Sequence, residues 1–286
     1  MLAYDLAQQN FSVADHLLQL HELFRELREE PAGDALRLAV CRSLSVPDQT
    51  VLRHARNDQL VLVAKAVAPI PASLLVEDGI KFLLRQAVVV ACTALESFYW
   101  DALRENVLTI VRARRRGADK SLRELTLTLD DYLSLENYQD PDVRLRQIIL
   151  KNFERGTLYD AASIEKIASV LTVRDFWATV AKKCGQNESE IKRQIAELIV
   201  RRNQVAHRAD RPDENANPPE EQDGHGLRAI SYAWANTRIS TAKNVVAASA
   251  DIFKATLQQL EGQLAEAEEQ KLARATLTPT LSPIKL

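Results

Sequence analysis

The stretch from about residue 76 to residue 115 constrains this chain more than any other. It carries Phe82, Leu83, Val88, Val89, Leu95, Phe98, Tyr99, Leu103 and Val107 with no proline among them. Its first half is apolar almost all round, so a helix there must be central and buried. It ends in Arg112-Ala113-Arg114-Arg115-Arg116-Gly117, and cations in a last turn followed by glycine are an ordinary helix stop. A buried helix of that length needs other helices around it, and the composition supplies them. Only 8 Gly and 10 Pro occur in 286 residues, the prolines fall mostly in stretches that read as loops, and Ala, Leu, Arg and Glu abound. The expectation is an all-α bundle with long central helices.

Charge narrows the function. Lys plus Arg is 37 and Asp plus Glu is 39, so overall charge cannot attract nucleic acid and any RNA contact needs a local basic patch. Cys41, Cys92 and Cys184 lack C-x-x-C spacing, which argues against a zinc or redox site, and Cys92 reads as a small buried thiol. The N-terminus MLAYDLAQQN has no basic segment leading into an apolar core, so no secretion signal is expected. The most apolar run, Phe82 to Leu95, is interrupted by Arg85 and Gln86 and is shorter than a membrane span. A cytoplasmic protein with no membrane partner is the expectation.

Along the chain, residues 11–30 read as an amphipathic helix with Val13, Leu17, Leu20, Phe24 and Leu27 at helical spacing. Asp34 is a candidate cap for a short helix to about Ser43. Ser45-Val46-Pro47-Asp48 reads as the start of a helix to about Val67, broken by Pro69-Ile70-Pro71. Residues 1–75 are thus expected to form an N-terminal helical extension, 76–272 the main domain and 273–286 a disordered tail. Within the main domain a loop with a short helix is expected over 117–140, then helices near 141–155, 163–171, 174–183, 188–207 and 236–272. Asn187 is the expected cap of the 188–207 helix, with Glu190 in the box position. Residues 210–226, DRPDENANPPEEQDGHG, read as an exposed loop.

The 188–207 helix holds the candidate chemistry. Ile191, Ile195, Leu198 and Val205 share one stripe, and Arg202 falls on it, four residues after Leu198 and three before Val205. An ordinary surface arginine would sit opposite. Asn203 and His207 are four apart and hence neighbours, on a face with Ala196 and Val200. The helix end therefore gathers a guanidinium, an amide and an imidazole beside apolar surface. In the long helix, Glu96 interrupts an apolar row of Val89, Cys92, Tyr99 and Leu103. A buried carboxylate needs a partner, and Arg202 or His207 is favoured.

The string Arg201-Arg202-Asn203-Gln204-Val205-Ala206-His207 resembles the Arg-Asn-x-x-x-His signature of HEPN ribonucleases. Ala94-Leu95-Glu96-Ser97-Phe98 resembles the first core helix of the RiboL-PSP-HEPN branch. Ser163-Ile164-Glu165-Lys166-Ile167, then Asp175-Phe176-Trp177, then Ile191-Lys192 resemble the same branch in order, and the likeness spans about 76–270. It implies a HEPN-type helical bundle that dimerises through the 188–207 helix and cleaves RNA without metal or cofactor. In that family the 2′-OH attacks the adjacent phosphate, which restricts the reaction to RNA. Carried onto this chain, His207 is the general acid or base, Arg202 stabilises the phosphorane oxygens, Asn203 orients His207 or holds a phosphate oxygen, and Glu96 orients Arg202. The resemblance also implies a defence or toxin-like effector, with an antitoxin or defence-system protein as partner.

Other readings compete. His207 is equally suited to capping its helix electrostatically. Arg201, Arg208, Arg112, Arg114, Arg115 and Arg116 are weaker RNA-binding candidates, against a solvated helix end. His16, His21, His54 and His225 share no metal-ligand spacing and read as surface or partner-facing. Trp100, Trp177 and Trp234 read as core or interface, while Tyr232 and Trp234 also stand where they would line a cleft. A non-catalytic HEPN-like RNA-binding or interaction module, or an adaptor using residues 1–75, are the rival functions.

Overall fold

The computed structural model describes residues 2–29, 42, 51–55, 59–63, 77–113, 126–154 and 160–277. Among these are eight helices: α1 (Leu2–Glu29), α2 (Glu77–Ala113), α3 (Leu129–Glu136), α4 (Pro141–Glu154), α5 (Ala161–Val170), α6 (Phe176–Cys184), α7 (Glu188–Arg208) and α8 (Tyr232–Leu277). One small hairpin joins them, β1 (Val51–Ala55) and β2 (Gln59–Val63), antiparallel with Val51 opposite Val63. Apart from this hairpin the described residues are helices and their connections, so the fold is all-α as expected.

The hairpin corrects the helix expected over 45–67. Val51, Val61 and Val63 are β-branched and favour a pleated strand, and Asn57-Asp58 between the two runs is a hairpin signal that outweighs the weak helix start at Pro47. The short helix from Asp34 and the Pro69–Pro71 break lie outside the described residues. Helix α8 runs to Leu277, five residues into the segment expected to be a disordered tail, and 278–286 lie outside the described residues.

Contacts divide the chain into two compact units. The first comprises Met1–Ala7, Glu96–Arg193 and Asn244–Leu286. Its centre is aromatic. Phe98, Tyr99, Phe176, Trp177 and Phe253 are buried, with Tyr99 edge-on to Phe98, Phe176 and Phe253, and Phe253 stacked on Phe98 and Phe176. Edge-to-face and offset contacts suit the ring quadrupoles. The polar ends of these rings are satisfied. The Tyr99 hydroxyl bonds Ser249 Oγ at 2.9 Å, and Trp177 Nε1 donates to the Ala161 carbonyl at 3.1 Å. Helix starts are fixed locally. Thr128 and Asp131 form a reciprocal capping box on α3, and Asp160 accepts from the Ser163 amide on α5. Gly185, with φ +62°, ends α6 in the left-handed conformation that glycine adopts without penalty.

The second unit comprises Gln8–Leu95 and Gln194–Lys243. Phe11, Ala14 and Leu18 of α1 are buried there, as are Ile80, Leu84, Val88 and Cys92 of α2 and Ile195, Leu198 and Ile199 of α7. The α1 stripe read from the sequence is not the buried one. Val13 and Leu20 are exposed, and the neighbouring stripe of Phe11, Ala14, Leu18 and His21 faces inward.

Asp78–Ala113 of α2 is long and apolar enough to cross a membrane, beyond the run Phe82–Leu95, but 61% of its most apolar window is buried inside the protein, as in a core helix.

Thr172 adopts φ +65°, a left-handed conformation that a β-branched residue rarely tolerates. Thr172→Gly should raise stability by about 1 kcal/mol, read as a higher urea midpoint. A lower midpoint would show that the side chain is needed at that turn.

Candidate functional site

The C-terminal half of α7 presents three faces within the second unit. Ile195, Leu198 and Ile199 are buried, and Arg202 continues their stripe into half-burial where the helix ends. A second face meets the start of α8. Gln194 accepts a hydrogen bond from Thr241, Glu197 takes both Arg238 nitrogens at 2.7 and 3.0 Å, and the Arg201 guanidinium lies 5.8 Å from the Trp234 ring centre. Partner numbers fall on α8 as they climb on α7, so these segments run antiparallel. The third face carries Ala196, Val200, Asn203 and His207. Val200 is 51% exposed, His207 is exposed, and Asn203 and Ala196 are half-buried.

Arg202, Asn203 and His207 thus occupy the last two turns of one helix. A guanidinium emerges from the core edge, and an amide and an imidazole stand beside an apolar surface open to solvent. Glu96 is half-buried and belongs to the first unit. Arg208 is exposed in the last turn of α7. Arg112 is exposed and pairs with Asp142, and Arg114, Arg115 and Arg116 lie outside the described residues.

Beneath this end lies an ionic network that sequence reading missed. Helix α7 stops abruptly because Ala209 and Asp210 both adopt left-handed conformations, φ +50° and +59°. The turn carries the Asp210 amide back to the Gln204 carbonyl at 3.0 Å. It also aims the Asp210 side chain, 1% exposed, at two arginines. Arg201 approaches both carboxylate oxygens, at 2.9 Å each, and Arg85 Nε donates to Oδ2 at 2.6 Å. Arg85 Nη2 also donates to Asp223 Oδ2 at 2.7 Å and to the Arg228 carbonyl at 2.9 Å. Arg201 adds bonds to the carbonyls of Arg228 and Ala229. Arg228 in turn reaches the Arg211 carbonyl and Glu220. Two guanidiniums and two carboxylates balance in charge, as burial requires, and the planar fork of arginine serves several acceptors at once.

Several expectations change. The 210–226 segment is exposed over much of its length, but the side chains of two of its six acids, Asp210 and Asp223, are sealed from water against Arg85. Arg201, a weak RNA-binding candidate, is half-buried and turns its Nη2 to Asp210 and two backbone carbonyls, with Nε in ion-pair contact with the same carboxylate. His21 is buried rather than surface-facing, 6.1 Å from the Tyr232 ring and nearly parallel to it, with Nδ1 3.0 Å from Glu22; burial foremost lowers its pKa. Trp177 is core as expected, and the Trp234 ring centre lies 5.8 Å from the Arg201 guanidinium and 5.0 Å from that of Arg238. The one signal for the network was Arg85, a cation inside the most apolar run of the chain.

Burial alone would push the Asp223 carboxyl up. The Arg85 hydrogen bond and the amides of Leu227 and His225 outweigh it and hold the group below the ordinary carboxylate range. A depressed pKa contributes stability above the unfolded value near about 3.9, lost as pH falls through the lower folded value. Asp223→Asn should therefore show a smaller loss of urea midpoint between pH 7 and pH 3 than wild type; an identical loss would contradict this. Arg85→Met, which strands two buried acids, should cost about 3 kcal/mol at pH 7.

The family model described as RiboL-PSP-HEPN matches residues 55–253. The match begins upstream of the likeness read from motifs and takes in β2. No curated protein and no solved structure matches the chain.

Proposed function

The chain belongs to the RiboL-PSP-HEPN family, and from that premise we propose that it is a metal-independent endoribonuclease whose reacting groups are His207, Arg202 and Asn203. The observation that supports this most is the end of α7. It offers an exposed imidazole and a half-buried guanidinium on adjacent turns of one helix.

The chemistry follows from the groups. A base takes the proton of an RNA 2′-OH, whose oxygen attacks the adjacent phosphorus. The P–O5′ bond breaks and an acid returns a proton to O5′, leaving a 2′,3′-cyclic phosphate and a 5′-hydroxyl. Imidazole suits either proton transfer because it titrates near neutral pH. Arg202 offers paired N–H donors to the equatorial oxygens as charge grows there. Asn203, one turn before His207, orients the ring or holds a phosphate oxygen. One chain brings one His207, so a pair of α7 helices would supply both acid and base. The open face at Val200 and Ala196 suits such a homodimer, in which Arg208 would meet the RNA backbone. A cytoplasmic defence or toxin-like role, with a cognate antitoxin or defence-system protein, completes the proposal.

The second reading is a non-catalytic module that binds RNA or protein. The structural commitment of Arg201 favours it, since that residue shows the helix end already serving stability.

The purified full-length protein, His207→Ala and Arg202→Ala should be compared on RNA in excess chelator. His207→Ala should cut on the order of 10²–10⁴-fold more slowly, and Arg202→Ala about 10²–10³-fold more slowly, both with wild-type helicity. Equal cutting by wild type and His207→Ala, or no cutting by the wild type, contradicts the ribonuclease reading.

A further inference from the structure

The residues assigned to the reaction lie between two pinned points. Arg201 immediately precedes them and Asp210 closely follows. The carboxylate of Asp210 joins the two across nine residues, with Arg201 Nε 2.9 Å from Oδ1 and Nη2 2.9 Å from Oδ2. Arg85 holds the same carboxylate from α2 at 2.6 Å. The Asp210 backbone is fastened too: its amide donates to Gln204 O at 3.0 Å, and its carbonyl accepts from the Arg228 amide at 2.9 Å.

A helix C-terminus ordinarily frays, because its last four carbonyls have no partner within the helix. His207 and Arg208 sit in that last turn. An exposed imidazole on a fraying turn would sample many positions, whereas reacting groups must be held to within about 0.5 Å. Ala209 and Asp210 also hold left-handed conformations, each carrying a cost for a residue with a Cβ. Something must compensate, and the buried ion pairs of Asp210 are what the structure places there.

We propose that Asp210, gripped by Arg201 and Arg85, is a positioning residue: it closes a clamp around the 202–207 segment and fixes where His207 and Arg202 stand. It touches neither of them in this arrangement and acts through the backbone between. This rests on the ribonuclease reading for its catalytic consequence, but the ordering of His207 is independent of that reading.

The test uses the full-length protein and three variants. Asp210→Asn keeps the shape and removes the charge. Arg201→Lys keeps the charge and removes the fork, and serves if Asp210→Asn does not fold. Ser249→Ala, which breaks a buried hydrogen bond in the first unit, controls for lost stability alone. Each is read by saturation kinetics on RNA in chelator, by thermal melting, and by the His207 C2–H proton resonance, assigned through its absence from His207→Ala. The expected result is one sharp His207 line in wild type and Ser249→Ala, and a broadened or split line in Asp210→Asn and Arg201→Lys. In those two, kcat should fall about 10²-fold with KM within about twofold of wild type. An unchanged His207 line in Asp210→Asn or Arg201→Lys overturns the clamp, whether or not the wild type cuts RNA. A kcat loss in Ser249→Ala equal to theirs also overturns it, because destabilisation alone would then explain the effect. If the wild type cuts no RNA, the ribonuclease reading fails while the His207 line still decides the clamp.

Discussion

The second unit turns on one carboxylate held by two buried guanidiniums. Asp210 is sealed from water between Arg85 and Arg201, and its charge is shared by both guanidiniums. An unpaired charge in that setting would cost several kcal/mol, so the partners are obligatory to one another. The consequences spread outward. The pairing requires the chain to reverse at Ala209, which ends α7. It draws Asp223 inward, which folds the polar segment back, and it uses the carbonyls of Arg228 and Ala229 just before α8 begins. A segment composed like an exposed linker becomes an ordered part of the unit.

Most of the helical architecture was legible in the sequence because periodic apolar spacing is a strong local signal. Helices α2, α4, α5, α6 and α7 fall within a few residues of the spans 76–115, 141–155, 163–171, 174–183 and 188–207 read from the sequence, with Asn187 capping the last as expected. Two local readings failed for physical reasons. The 45–67 stretch has few residues of clear period, and Val51–Ala55 and Gln59–Val63, rich in β-branched valine, pair as antiparallel strands. Helix α1 has two apolar faces, and only tertiary packing could choose the one bearing Ala14 and Leu18 over the one bearing Val13 and Leu20.

The candidate site was half legible. That Arg202 shares a stripe with Ile195 and Leu198, and that Asn203 neighbours His207, follows from helix geometry alone. Which arginine is committed to the fold does not. Arg201 and Arg202 are adjacent and chemically identical, and only the return of the chain at Asp210 distinguishes them. Ion pairs between residues more than a hundred positions apart, such as Arg85 with Asp210 and with Asp223, leave no periodic trace. The one hint was a cation in an apolar run, read at first only as an interruption.

Adjacent arginines stand in different settings: Arg201 fastens the helix end through Asp210, and Arg202 lies half-buried on the stripe of Ile195 and Leu198. The proposed activity places Arg202 and His207 at the scissile phosphate. It is tested most directly by the chemistry of the ends produced when the purified full-length protein acts on a defined RNA in excess chelator. Mass spectrometry should find 2′,3′-cyclic phosphate at the new 3′ ends and a hydroxyl at the new 5′ ends. Products bearing 3′-hydroxyl ends, or an RNA left whole, would contradict it.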